Sequence, residues 1–152
     1  MVKEMTITEA LSGVQTLFLD TAPVIYYVEG HPDYLPIVER FFERIDEGLL
    51  TAVTSPITLS ECLVLPYRLN AEWLAEHFSA LIVNGGNTLF LPINDEIATE
   101  AARFRAEYNL SLADALQCAT ALNASCDAFL TNDLTLKRAR ELNVLVIEEI
   151  TD

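Results

Sequence analysis

Short β-branched and apolar runs alternate along this chain with longer stretches whose apolar positions recur at helical spacing. Residues 16–20 (Thr-Leu-Phe-Leu-Asp) read as a first strand that ends on an acid, and 50–54, 88–93, 127–131 and 144–147 read as four more. Helical patterns fill the gaps. Residues 21–28 form a short helix, with Pro23 tolerated in its first turn. Asp33 caps a helix through 47 that carries Leu35, Val38, Phe41, Phe42 and Ile45 on one face and is stopped by Gly48. Ser55-Pro56 is a strong helix start; that helix holds Glu61 and ends or kinks near Pro66. Asn70 caps a helix to about 83, Asn94 or Asp95 starts one to about 108, Ser111 starts 112–124, and 134–142 is the last. Strands separated by helices imply a three-layer α/β/α arrangement with right-handed crossovers around a central, mainly parallel sheet of about five strands. Residues 1–15 stand apart as an N-terminal extension with a short helix within 6–14, and 16–152 form one domain.

Composition narrows the class. The 152 residues suit a single core, and a 51% hydrophobic content argues against disorder. No apolar run approaches the roughly 20 residues that span a bilayer, and the N-terminus lacks the apolar core of a secretory signal. Cys62, Cys118 and Cys126 lie in apolar stretches without metal-type spacing, as reduced core residues of a cytoplasmic protein do. The net charge of −14 fits a soluble surface but repels polyanions. A nucleic-acid substrate then requires a local reversal of sign, by bound divalent metal or a basic partner.

Four acids carry the candidate chemistry. Taken singly, each has a structural explanation: Asp20 and Asp133 as helix caps, Asp114 in the capping box Ser-Leu-Ala-Asp, Glu61 as a helical surface residue. Together they fall where open parallel sheets bind ligands, beyond the carboxyl ends of the strands. Asp20 ends the first strand, Asp133 follows the fourth, Glu61 lies within two turns of the second, and Asp114 opens its helix. Asp127 begins the fourth strand at the opposite end and is excluded. Two carboxylates about 5 Å apart repel by roughly 3 kcal/mol at an effective dielectric near 20, so such a cluster calls for a cation or for protonation. Oxygen-only donors favour Mg²⁺ or Mn²⁺. His31, in a turn, and His77, on a distant helix, are poorly placed as zinc ligands.

The ordered set Phe18-Leu19-Asp20-Thr21, Ser55-Pro56-Ile57-Thr58-Leu59-Ser60-Glu61, Leu112-Ala113-Asp114-Ala115 and Leu130-Thr131-Asn132-Asp133 resembles the PIN-domain family, and most of all its single-domain VapC-type toxins of VapBC toxin–antitoxin systems. The resemblance runs from about residue 16 to 147. It implies a Mg²⁺/Mn²⁺-dependent endoribonuclease acting on RNA phosphodiesters, frequent homodimers and a small inhibitory antitoxin. By position, Asp20 and Asp114 are implied as principal metal ligands and catalytic groups, Glu61 as a direct or water-mediated ligand, Asp133 as completing the set, and Thr131 as orienting a carboxylate.

Substrate grip falls to few basic groups: Arg103, Arg105, Arg140 and above all Lys137 and Arg138, about one turn after Asp133. The apolar content between Tyr26 and Phe78, including Tyr67 and Trp73, exceeds what covers a sheet, which leaves some for a dimer face or an antitoxin groove. A PIN-like fold kept as a catalytically weak binding module acting through protein partners is the alternative. Aspartyl-phosphate chemistry is disfavoured, because Ala22 stands where a phosphatase needs a second Asp. Gly-x-Gly-x-x-Gly and phosphate-loop motifs are absent, as are Ser-His-Asp, Cys-His and paired-His arrangements.

Overall fold

A computed structural model describes residues 4–152, so the first three residues of the extension expected over 1–15 lie outside it. The elements run β1 (Met5–Thr6), α1 (Ile7–Ala10), β2 (Thr16–Leu19), α2 (Thr21–Glu29), α3 (Leu35–Asp46), β3 (Thr51–Thr54), α4 (Pro56–Arg68), α5 (Glu72–Asn84), β4 (Thr88–Phe90), α6 (Asp95–Tyr108), α7 (Leu112–Asn123), β5 (Ala128–Thr131), a 3-10 helix (Leu134–Arg138), β6 (Val144–Val146), a 3-10 turn (Ile147–Glu149) and β7 (Ile150–Thr151). Five strands form one parallel sheet in the order β4-β3-β2-β5-β6; β1 and β7 pair separately, also in parallel.

The strands are apolar on both faces because both faces are covered. Leu17, Leu19, Ala52 and Leu130 pack into one core with Val24, Phe41, Phe42, Cys62 and Phe78 from α2 to α5. Phe18, Val53 and Phe129 point the other way, into a core with Ile97, Phe104, Ala115, Cys118 and Ala119 from α6 and α7. Phe18 and Phe129 stack across β2 and β5 with centroids 4.9 Å apart. The N-terminal segment joins the first core through Ile7, Ala10 and Val14.

Several helix starts follow the expected chemistry. Ser55, Asn94 and Ser111 accept from backbone N–H groups at the starts of α4, α6 and α7. Others differ. Asp33 does not cap α3; His31 Nδ1 accepts instead from the N–H groups of Asp33 and Tyr34, and α3 begins at Leu35, next to Pro36. Asn70 takes a left-handed conformation (φ 52°) and reverses the chain between α4 and α5 rather than capping. Helix α4 runs through Pro66 to Arg68. The last expected helix is a 3-10 segment, Leu134–Arg138, capped by Asp133 and ended by Ala139; Leu136 is its one buried residue, too little apolar face to hold a longer helix on the sheet.

Candidate active site

The strand order places β2 between β3 and β5. The sheet therefore changes direction of winding between β2 and β5, the kind of point at which open α/β sheets leave a crevice. Asp20 stands there. Its N–H donates to Leu130 O (3.0 Å), and its carboxylate is buried, 8% exposed. It occupies the cap position of α2, yet its side chain makes no capping bond. Instead Thr131 Oγ1 donates to Oδ2 (2.8 Å) and Gln117 Nε2 to Oδ1 (3.4 Å).

The other three acids approach the same edge from three elements. Glu61, exposed on the second turn of α4, accepts from Thr21 Oγ1 at the start of α2 (2.6 Å). Asp114 is half-buried in the first turn of α7, where its N–H donates to Ser111 Oγ (3.2 Å). Asp133 is exposed and keeps the capping role, Oδ1 accepting from Thr135 N (2.9 Å). Thr131 links Asp133 to Asp20: the hydroxyl that donates to Asp20 also accepts from Asp133 N (3.1 Å).

The electrostatics tie the four together. Burial pushes the Asp20 carboxyl up to about 6, and the charge of Asp114 adds to the rise. Asp114 is raised by burial first, then by Asp133 and Glu61. Among the described residues, no three or more His, Cys, Asp or Glu are already drawn into a group that could hold an ion. The donor chemistry itself fits an oxygen-preferring dication: carboxylates from the β2–α2 junction, α4, α7 and the segment after β5, one of them buried against its own charge.

Two groups in this network are given no role by the motifs, Thr21 although it stands within one and Gln117 outside them all. Thr21 orients Glu61, and Gln117 bonds Asp20; Gln117 is 1% exposed, with Cys118, Ala119, Thr120 and Ala121 buried after it. A polar residue on the buried stripe of a helix, one turn after a candidate ligand, was the available signal.

The basic groups are largely engaged. Lys137 pairs with Glu149, and Arg138 donates to Asn109 O (3.3 Å). Arg103 pairs with Glu100, Glu107 (2.7 Å) and Glu141 (2.6 Å); Arg105 donates to Leu110 O, and Arg140 lies over the Tyr108 ring. His31 is held in its turn between Tyr26 and Tyr34, while His77 is exposed on α5. Cys62 and Cys118 are buried, and burial pushes all three thiols up to about 12. At the opposite sheet edge, Asp127 Oδ2 accepts from Gln15 N, Thr16 N and Thr16 Oγ1 (2.9, 3.0 and 3.0 Å), a structural clamp. Among the described residues no helix is long and apolar enough to cross a membrane.

The sequence profile of the PIN domain matches residues 17–142. No curated protein sequence matches the chain. Among solved structures, a chain of the VapBC2 complex of Rickettsia felis, bound to a DNA fragment from its promoter, is 15% identical with a TM-score of 0.68; the match covers 87% of this chain and 98% of that one. VapC20 of Mycobacterium tuberculosis, a sarcin–ricin loop cleaving toxin, is also 15% identical with a TM-score of 0.68, covering 81% and 94%. A chain of a toxin–antitoxin complex from Klebsiella pneumoniae is 22% identical with a TM-score of 0.66, covering 88% and 99%.

Proposed function

The chain belongs to the PIN-domain family, and from that premise we propose that it is a Mg²⁺- or Mn²⁺-dependent endoribonuclease, the toxin of a toxin–antitoxin pair. The observation that carries this reading is the buried Asp20 carboxylate at the switch between β2 and β5, which caps nothing and is held on its two oxygens by Thr131 and Gln117. The neighbours add to it: one cleaves the sarcin–ricin loop, and others are held in VapBC or toxin–antitoxin complexes.

Asp20 and Asp114 would hold the cation, with Glu61 and Asp133 completing the acidic set. A bound divalent ion supplies a Lewis acid that yields a nucleophilic water near neutral pH and offsets charge on the phosphodiester. The protein's own part is to fix the ligands. Thr131 holds one oxygen of Asp20 and the backbone of Asp133, and Thr21 holds Glu61. Lys137 and Arg138 remain the basic candidates for phosphate contact; Lys137 must leave Glu149 to serve. The test is RNA cleavage in Mn²⁺ by Asp114→Asn. Loss of several kcal/mol of stabilisation corresponds to a fall of ~10²-fold or more with the fold intact. Full activity of the purified variant would remove the assignment.

The expected partners are a small antitoxin and a second copy of the chain. Val64, Leu65, Tyr67, Leu69 and Trp73 are exposed along the end of α4 and the start of α5, an apolar surface suited to protein contact. The same surface supports the alternative reading of a binding module with little catalysis. Calorimetry separates the two, because a module of that kind takes up no Mn²⁺ at millimolar concentration.

A further inference from the structure

Gln117 joins three of the acid-bearing elements through one side chain. From α7, the helix of Asp114, its amide reaches Ser55 and Thr58 at the start of α4, the helix of Glu61, and Asp20 at the end of β2. Its orientation is fixed by the chemistry of its partners. Ser55 Oγ already accepts from the N–H groups of Ile57 and Thr58 (3.1 and 3.3 Å), so its hydrogen is directed to Gln117 Oε1. Thr58 Oγ1 gives its hydrogen to Leu19 O (3.1 Å), so it accepts from Gln117 Nε2 (2.7 Å). The second N–H is left for Oδ1 of Asp20 (3.4 Å). A flipped amide would set its carbonyl against a carboxylate, which cannot donate. With Thr131 on Oδ2, each oxygen of Asp20 has its own donor, one from β5 and one from α7.

We propose that Gln117 is a positioning residue: its amide sets the direction of the Asp20 carboxylate relative to α4 and α7, and so sets the affinity of the site for divalent metal. This rests on the metal-dependent reading above. Hydrogen-bonded partners of metal ligands typically change affinity by roughly 10- to 100-fold when removed.

The experiment is Mn²⁺ titration by calorimetry of the full chain, beside thermal melting. Gln117→Met keeps the side chain's length and removes the amide. It is expected to fold with a lowered melting temperature, because the buried Ser55 hydroxyl loses its acceptor, and to bind Mn²⁺ about 10-fold more weakly. Thr58→Val removes the acceptor that orients the amide and is expected to weaken binding in the same direction, whereas Thr58→Ser restores it. A folded Gln117→Met protein with wild-type Mn²⁺ affinity overturns the proposal. If that variant does not fold, wild-type affinity in Thr58→Val does the same. Asp20→Asn separates the two levels. If the wild type binds no Mn²⁺, or Asp20→Asn binds it as tightly as the wild type, the metal reading falls and this inference with it. If Asp20→Asn loses binding while Gln117→Met retains it, only the role of Gln117 is overturned.

Discussion

Asp20 is held in a conflict that has a measurable sign. Burial raises its carboxyl to about 6, so the folded chain disfavours the ionised form. In the unfolded chain an Asp ionises near pH 4. The cost therefore develops as pH rises from about 4 to about 6 and is fully present above that, where the two values differ by ~2 units, or ~3 kcal/mol. Asp20→Asn removes the charge but sets an amide donor against either Thr131 or Gln117, which offsets part of the gain. The variant is expected to be more stable than the wild type by about 1–2 kcal/mol in urea melts at pH 8, and less stable than it at pH 4, where the charge cost is gone and only the amide mismatch remains. A constant difference across that range would show that burial of charge is not the cause. The residue scale also separates the acids. Asp20 could have been only a cap, yet its side chain caps nothing, whereas Asp133 does cap and keeps one oxygen engaged.

At the scale of elements, both ends of the central strands are pinned by aspartates with opposite consequences. Asp127 ties the start of β5 to the start of β2 through three hydrogen bonds, which hold its carboxyl below the usual range. Its contribution is present above about pH 4, where the unfolded carboxylate ionises, and is lost as pH falls through the still lower folded value. Asp127→Ala is expected to lower stability at pH 7 by about 1–2 kcal/mol while RNA cleavage per folded molecule stays unchanged. A fall in cleavage without a fall in stability would place Asp127 in the site rather than at the far edge. Element boundaries explain most of the differences from sequence reading. The capping serines and Asn94 were legible because a short side chain meets a local N–H. The capping of Asp33 and Tyr34 by His31 was not, because the acceptor comes from a turn rather than from the residue expected to cap.

For the whole molecule, a charge of −14 and an exposed apolar surface point to different partners. The acidity disfavours RNA in the absence of cations, so low-salt binding of RNA is expected to require Mg²⁺ or Mn²⁺. The apolar surface favours protein. Trp73 is the single tryptophan and is 71% exposed. In dilute solution its emission is expected to be that of a water-exposed indole, shifting to the blue as the chain self-associates or takes up a partner. A monomer by light scattering at high concentration, with unshifted emission, would remove the dimer. The family profile and the similarity to solved toxin chains agree with the layered fold that the alternation of strands and helices implies.

The sequence by itself determined the periodicities, the helix starts at Ser55, Asn94 and Ser111, and the ordered acidic motifs, because each depends on neighbours within a few residues. It also located Asp20 and Asp133 at strand ends, Glu61 within two turns of one, and Asp114 at the start of its helix. It did not determine that β2 lies beside β5. Only the strand order does that, and it brings Thr131 to Asp20 across 111 residues of chain. Nor did it identify Gln117, whose partners come from β2 and α4, or the pairing of Lys137 with Glu149. The physical reason is common to these cases. A buried polar group is defined by what surrounds it, and for this site the surroundings are assembled from β2, α4, α7 and β5, which meet only in the folded chain.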